Sequence, residues 1–264
     1  MKKIWCLFIL LVFCSTSFAV VIRHDKSADD YVVKKPPQYL VNMPHEGQGV
    51  LIAPNWVLTV AHVIFYDYQG KTIDIAGKEY VIESVFIHKD YRKLESSTLD
   101  KGTKATMDFQ FANRDIALVK LSTSVDSVSP LSIYTKSDEL GKRVIGYGKG
   151  ATGDGIGGAV FETKRDKVLR KLENKIEEVT PYWLAIAFDQ PEKALPLEGI
   201  DGSGDSGGPV IIKKDGREWL VGMFSWDYVD GPLSDFQAGL YGHKSYQVRV
   251  SSYQPWISSI IAAN

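Results

Sequence analysis

The sequence predicts an all-β protein, a barrel or a sandwich, closed by one C-terminal helix. Short runs rich in Val, Ile, Tyr, Phe and Trp recur between clusters of Gly, Pro, Asp and Asn, and they do not alternate with helical patterns as β-α units would. In chain order they are GVLIAPNWVLTVAHVIF, YVIESVFIH, RDIALVKLS, RVIGYG, YWLAIAF, GPVIIKK, WLVGMFSW and SYQVRVSS. The terminal SSYQPWISSIIAAN is different: serines precede a proline, and Trp256, Ile257, Ile260 and Ile261 fall at helical spacing, predicting a helix from about Tyr253.

Three segments depart from this pattern. Leu94 to Arg114, LESSTLDKGTKATMDFQFANR, is polar and aperiodic and reads as a long surface loop. The run KRDKVLRKLENKIEEV spaces Leu169, Leu172, Ile176 and Val179 by three, four and three, which on periodicity alone is an amphipathic helix. A formal G-x-G-x-x-G stands at Gly153, Gly155 and Gly158, but a dinucleotide-binding loop needs a strand before it and a helix after it. In a β-rich setting it reads as a surface loop.

A chain of 264 residues, 44% hydrophobic, can bury a sizeable core. With 31 basic and 32 acidic residues and no long run of either sign, bulk charge points to neither nucleic acid nor an anionic membrane. The opening MKKIWCLFILLVFCSTSFA has two lysines, an apolar run from Ile4 to Phe13 and small residues Ser17 and Ala19, the pattern of a secretory signal peptide cut before Val20. That apolar run is well short of the roughly 20 residues that span a bilayer. The product is expected to be secreted or periplasmic, without a membrane anchor. Cys6 and Cys14 both lie in the leader, so the mature chain has neither disulfides nor Cys-ligated metal.

Hydrolysing an amide at neutral pH needs a nucleophile, a base, a group that orients the base, and donors for the developing oxyanion. In GIDGSGDSGGPV, glycines flank Ser206, allowing positive φ and close substrate approach, and two N–H groups of such a turn can converge on one anion. Gly, Asp, Ser and Pro are also ordinary turn residues. NWVLTVAHV places His62 at the end of one apolar run, and NRDIALVKL places Asp115 at the start of another. Each alone is compatible with a structural role; the three together point to chemistry.

TVAHV, DIALVKL, GDSGGP and FSW, in that order, resemble the chymotrypsin/trypsin-like serine proteases, peptidase family S1. GQGVLIAPNWVLTVAHV, VFIHKDY, GYG and the PWI of the last helix extend the resemblance over most of the mature chain. It implies two six-stranded antiparallel Greek-key β-barrels with a C-terminal α-helix, residues 20–125 and 126–264 together forming one peptidase domain after a leader at 1–19. It implies a serine endopeptidase with an acyl-enzyme intermediate: Ser206 as nucleophile, His62 as base and then acid, Asp115 orienting His62. The N–H groups of Gly204 and Ser206 would form the oxyanion hole, Ser225 would buttress the triad, and His88 has no assigned role. Protein or peptide substrates are expected, with no cofactor or metal, and the protein is expected to be monomeric. The family also makes a strand, rather than a helix, of the KRDKVLRKLENKIEEV territory.

The sequence departs from the family in several places. The usual IVGG start is missing; VVIRHD from Val20 stands in its place, so that signal cleavage would itself free the amine that pairs with Asp205. Val63 replaces a frequent cysteine, and the long loop between His88 and Asp115 would wall the substrate cleft. The position six before the nucleophile, acidic in members that cut after Lys or Arg, is Ile200, with Asp201 next to it. Asp227 follows Trp226, and Lys244 falls near the base of the pocket. Asp227 and Lys244 could pair with each other, or Lys244 could attract an acidic side chain. The alternatives to a general endopeptidase are therefore a protease that prefers acidic residues and a catalytically silent binding module on the same fold.

Overall fold

The computed structural model describes residues 20–160 and 168–264. The signal peptide expected at 1–19, with both cysteines, lies outside the described residues, as do residues 164–167 of the ambiguous charged run.

The first half carries β1 (Val20–Ile22), β2 (Leu40–Asn42), β3 (Gln48–Ala53), β4 (Trp56–Thr59), β5 (Thr72–Ile75), β6 (Lys78–Ile87) and β7 (Ala117–Leu121). Strands β2 to β7 form an antiparallel sheet in the order β2-β3-β4-β7-β6-β5. Its edge strands β2 and β5 approach each other, curling the sheet into a barrel. The second half carries β8 (Arg143–Gly148), β9 (Thr152–Asp154), β10 (Gly158–Val160), β11 (Arg170–Val179) and β12 (Trp183–Ala187). It continues with β13 (Gly199–Ile200), β14 (Pro209–Lys214), β15 (Arg217–Asp227) and β16 (Lys244–Arg249). Six of these close an antiparallel barrel in the order β11-β12-β16-β15-β14-β8. The fold is thus two six-stranded antiparallel barrels with few helices.

The N-terminal strand belongs to neither barrel. β1 pairs parallel with β9 and antiparallel with β13, so that Val20 and Val21 are fully buried beneath the second half of the chain.

The helices are α1 (Ala28–Tyr31), α2 (Ser96–Leu99), α3 (Thr103–Ala112) and α4 (Gln254–Ala263). The last begins at the predicted end of the chain, after a 3₁₀ turn at Val250–Tyr253 and with Pro255 in its first turn, where a missing N–H costs no hydrogen bond. α2 and α3 correct the surface-loop expectation for residues 94–114. Only Thr106 and Met107 of α3 are buried, with Phe111 one turn further on packed on the core, so the apolar stripe is too narrow to register as a period.

From Arg170 on, the charged run is a strand. Along β11 burial alternates, with Arg170, Leu172, Asn174 and Ile176 inward. Leu172 and Ile176 satisfy a period of two as well as one near four, and two of the inward positions are polar, which disguises the alternation. Asn174 is paired there: its Nδ2 donates to Ala187 O at 2.8 Å and Gly199 O at 2.9 Å. The G-x-G-x-x-G segment is an antiparallel β9–β10 hairpin.

Candidate active site

His62 and Asp115 are brought together by strand register. β4 and β7 are antiparallel neighbours with Thr59 opposite Ala117, so the chain leaves β4 and enters β7 at the same end of the sheet. Just beyond β4 the backbone tightens into a 3₁₀ turn, Ala61–Val63, whose flanking Ala61 and Val63 are buried and leave His62 at the surface of the cleft. Asp115 Oδ2 lies 2.6 Å from His62 Nδ1, and Oδ1 accepts the His62 backbone N–H at 2.8 Å. From the second barrel, Ser225 Oγ donates to Asp115 Oδ2 at 2.6 Å.

The electrostatics follow from those contacts. Burial favours a neutral Asp115, yet the charge and hydrogen bond of His62, with the Ser225 hydroxyl and the His62 amide, hold the carboxyl below its usual range. Burial would lower the His62 pKa, but the charge and hydrogen bond of Asp115 outweigh it, and the ring is raised above the ordinary histidine value.

Ser206 stands in the connection from β13 to β14. Its carbonyl accepts the Gln48 N–H from β3 at 2.8 Å, while Gly207 N–H donates to Phe224 O at 2.9 Å. The loop is thereby pinned to both barrels. Gly47, at φ +85°, marks how close the two sides are: a Cβ there would lie 2.6 Å from Val63 Cγ1 and 2.9 Å from Ser206 O. Gly207 has φ +77°, and a methyl group on it would strike the Gln48 carbonyl. No hydrogen bond joins Ser206 Oγ to the His62 ring among the described residues. Such contacts are often loose without substrate.

Asp205, fully buried, shapes the turn: Oδ1 accepts from Gly150 N–H at 2.5 Å and Oδ2 from Gly202 N–H at 2.9 Å. The N–H groups of Asp205, Gly207 and Gly208 are all bonded within the protein. Those of Gly204 and Ser206 donate to no group among the described residues.

The other predicted positions separate clearly. Ile200 is buried in an apolar cluster with Val21, Ala159, Phe188 and Ala238. Asp201 is buried beside it and accepts a short hydrogen bond from Ser245 Oγ. Asp227 stands opposite Ser245 on the β15–β16 ladder, so the two carboxylates share one region. Lys244 is not paired with Asp227; its Nζ lies 3.6 Å from Glu178 Oε2. Burial, then the charge of Asp227, pushes Asp201 well up. Burial, then the charge of Asp205, pushes Asp227 up to about 7. Trp226 stacks on Tyr246 at 4.4 Å between ring centroids, with Phe111 of α3 edge-on at 5.0 Å. His88 packs against Tyr253 and Trp256 of the C-terminal segment.

A cavity of about 230 Å³ adjoins this constellation, bounded by His62, Asp115, Ser225 and Trp226 on one side and by Tyr91 and Leu94 on the other. Sequence reading did not find Gln48, Gly150 or Gly202, which act through backbone groups and leave no side-chain signature. Among the described residues no group of three or more His, Asp or Glu is placed to hold a metal ion.

Comparison with known proteins places these features among relatives. The family model described as Trypsin matches residues 31–191. Human (Homo sapiens) chymotrypsin-like elastase family member 1 is 25% identical over 232 residues, covering 83% of this chain and 83% of its own.

The raised pKa of His62 has a direct check. Replacing Asp115→Asn removes the charge but keeps the burial, so the ring should titrate below the ordinary histidine value in an NMR titration. An unchanged pKa in that variant would show that Asp115 does not set it.

Proposed function

The chain belongs to the trypsin family of serine endopeptidases, and from that premise we propose that Ser206, His62 and Asp115 are its catalytic triad. The observation that carries this reading is that the N–H groups of Gly204 and Ser206 are unused while those of Asp205, Gly207 and Gly208 are bonded within the protein. They flank the buried Asp205 in sequence, and this reading makes them the donors of an oxyanion hole. Ser206 Oγ attacks the scissile carbonyl and forms the C–O bond while its proton passes to His62 Nε2. Charge on the carbonyl oxygen is met by the two N–H groups. Collapse of the adduct breaks the C–N bond, and His62 returns the proton to the leaving amine. Water, deprotonated by His62, then releases the acyl group and restores Ser206. Asp115 keeps the Nδ1 proton on the ring and stabilises the imidazolium.

The mature amino terminus is proposed to be Val20. This residue is fully buried with φ +67°, a conformation that a β-branched side chain adopts only under strain, because its Cβ crowds the neighbouring peptide. Cutting the bond before it removes that peptide and leaves an ammonium group at the start of β1. β1 pairs with Thr152 on one side and Ile200 on the other, both close in sequence to the groups around Asp205. Pairing of the new ammonium with Asp205 would lock the nucleophile turn, and secretion and activation would be one event.

For specificity we propose a subsite lined by Asp201 and Asp227 that takes a cationic side chain. Ile200 packs away from it, and Glu178 neutralises Lys244, the residue on which a preference for acidic substrates would rest.

Three outcomes are expected. Ser206→Ala should lower kcat by a factor on the order of 10⁶, and an organofluorophosphonate should label the unmodified protein at Ser206; undiminished proteolysis in the variant would falsify the triad. Sequencing of active secreted protein should begin at Val20, and a start well downstream of Ile22 rules out the β1 reading. A mixed peptide library should be cut after Lys or Arg, and KM for such a peptide should fall as pH rises through about 7, where Asp227 gains its charge. Cleavage after Glu, or a KM flat across that range, overturns the acidic subsite.

A further inference from the structure

The inward face of β16 carries two polar side chains that an apolar barrel interior does not call for. Ser245 and Gln247 are both fully buried and share that face, alternating with Lys244 and Tyr246. On the neighbouring strands Ser245 stands opposite Ile186 and Asp227, and Gln247 opposite Leu184 and Phe224. Leu184, Ile186 and Phe224 belong to the apolar cluster that fills this barrel, with Leu172, Val210 and Val221. A buried amide among such neighbours is accounted for by its hydrogen bonds or not at all.

Those bonds run in one direction. Gln247 Nε2 donates to Ser245 O at 2.9 Å and to Ser245 Oγ at 3.0 Å. The carbonyl carries no proton, so the atom facing it has to be the amide nitrogen, and the orientation of the side chain is fixed. The Ser245 hydroxyl accepts from Gln247 and therefore has its single proton for Asp201 Oδ1, to which it donates. Gln247 Oε1 is buried with no partner among the described residues, an arrangement that by itself disfavours folding.

Asp201 is the group that gains. It is buried and lies near two further carboxylates, Asp227 on β15 and Asp205 in its own loop, and both of them, like burial, favour its neutral form. Lys244, next to Ser245 on β16, sits at Glu178 instead, and the ammonium proposed at Val20 is assigned to Asp205. The side chain that favours a charged Asp201 is Ser245. We propose that Ser245 and Gln247 are positioning residues for specificity: Gln247 turns the Ser245 hydroxyl toward Asp201, and that donor keeps Asp201 an ionised acceptor in the subsite for cationic side chains. Without the relay a cationic side chain loses one of two counter-charges, and an apolar one loses nothing. This assignment rests on the acidic subsite of Asp201 and Asp227 proposed above.

The test uses the mature, full-length protein, Ser245→Ala and Gln247→Leu as separate variants, and peptides that differ only in Lys or Leu before the cleaved bond. Ser245→Ala removes one oxygen, and Gln247→Leu sets an apolar side chain between Leu184 and Phe224, so both variants should keep their thermal transition. The Lys over Leu ratio of kcat/KM should fall on the order of 10- to 100-fold in Ser245→Ala, which loses a hydrogen bond to a charged group. In Gln247→Leu, which loses only the orientation of that donor, it should fall by about 2- to 12-fold. In both, the pH dependence of KM for the Lys peptide should move to higher pH, because a carboxyl without its donor ionises later, a shift that a merely structural pair would not produce. A ratio and a pH profile equal to those of the unmodified protein overturn the proposal. Loss of the thermal transition in both variants marks the pair as structural and also overturns it; if one alone unfolds, the other decides. An unmodified protein with no preference for Lys sinks the acidic subsite and this assignment together, whereas a preference that both variants retain in full sinks the assignment alone.

Discussion

Asp115 is 5% exposed, and burial alone would favour its neutral form. Three donors reverse that balance: the His62 ring, the His62 amide and the Ser225 hydroxyl. Two of them come from the first barrel and one from the second. The same charge that orients the imidazole therefore also joins the barrels at the cleft, and a buried charge of this kind is tolerated only where its hydrogen bonds are satisfied. The position of the histidine and its raised pKa both follow from that carboxylate being ionised and held.

The turn that carries Ser206 is built on the same principle with another carboxylate. Asp205 receives one amide from Gly150, distant in sequence, and one from Gly202 in its own turn, and its neighbours bond to β3 and β15. Glycines at 204 and 207 meet the positive φ that this path requires, and Gly207 lies against backbone where no side chain fits. The Gly204 and Ser206 amides, which donate to no group among the described residues, are the pair proposed to answer a developing oxyanion.

The chain has no cysteine after Cys14, so its two barrels are held without disulfides. Packing and buried polar pairs replace them. Glu139 is buried and accepts from Arg249 Nε and Nη2, each at 2.9 Å, and from Ser251 Oγ at 2.8 Å, tying the approach to β8 to the end of β16. The Trp226, Tyr246, Phe111 and Trp183 rings form a second joint, between α3 and the closed barrel.

Local sequence determined the nine strands with strong apolar patterns, the terminal helix behind Pro255, and the candidates His62, Asp115 and Ser206. Each of these is a short-range signal: a period, a cap, or a residue type beside glycines. What local sequence could not determine was set by long-range contact. β11 carries polar inward residues whose partners lie on other strands, so its alternation was hidden behind a helical period. α3 buries one narrow stripe against the opposite barrel, and nothing in residues 94–114 reveals that surface. β1 has its position only because β9 and β13 provide edges on both sides. The pocket residues divide in the same way. Asp201, Asp227 and Lys244 are legible as charges, but only the β15–β16 register and the Glu178 contact decide that the two acids face one region while the lysine is paired elsewhere. A sequence names the groups that can ionise; the tertiary fold sets the distances between them, and electrostatic effect depends on distance and burial.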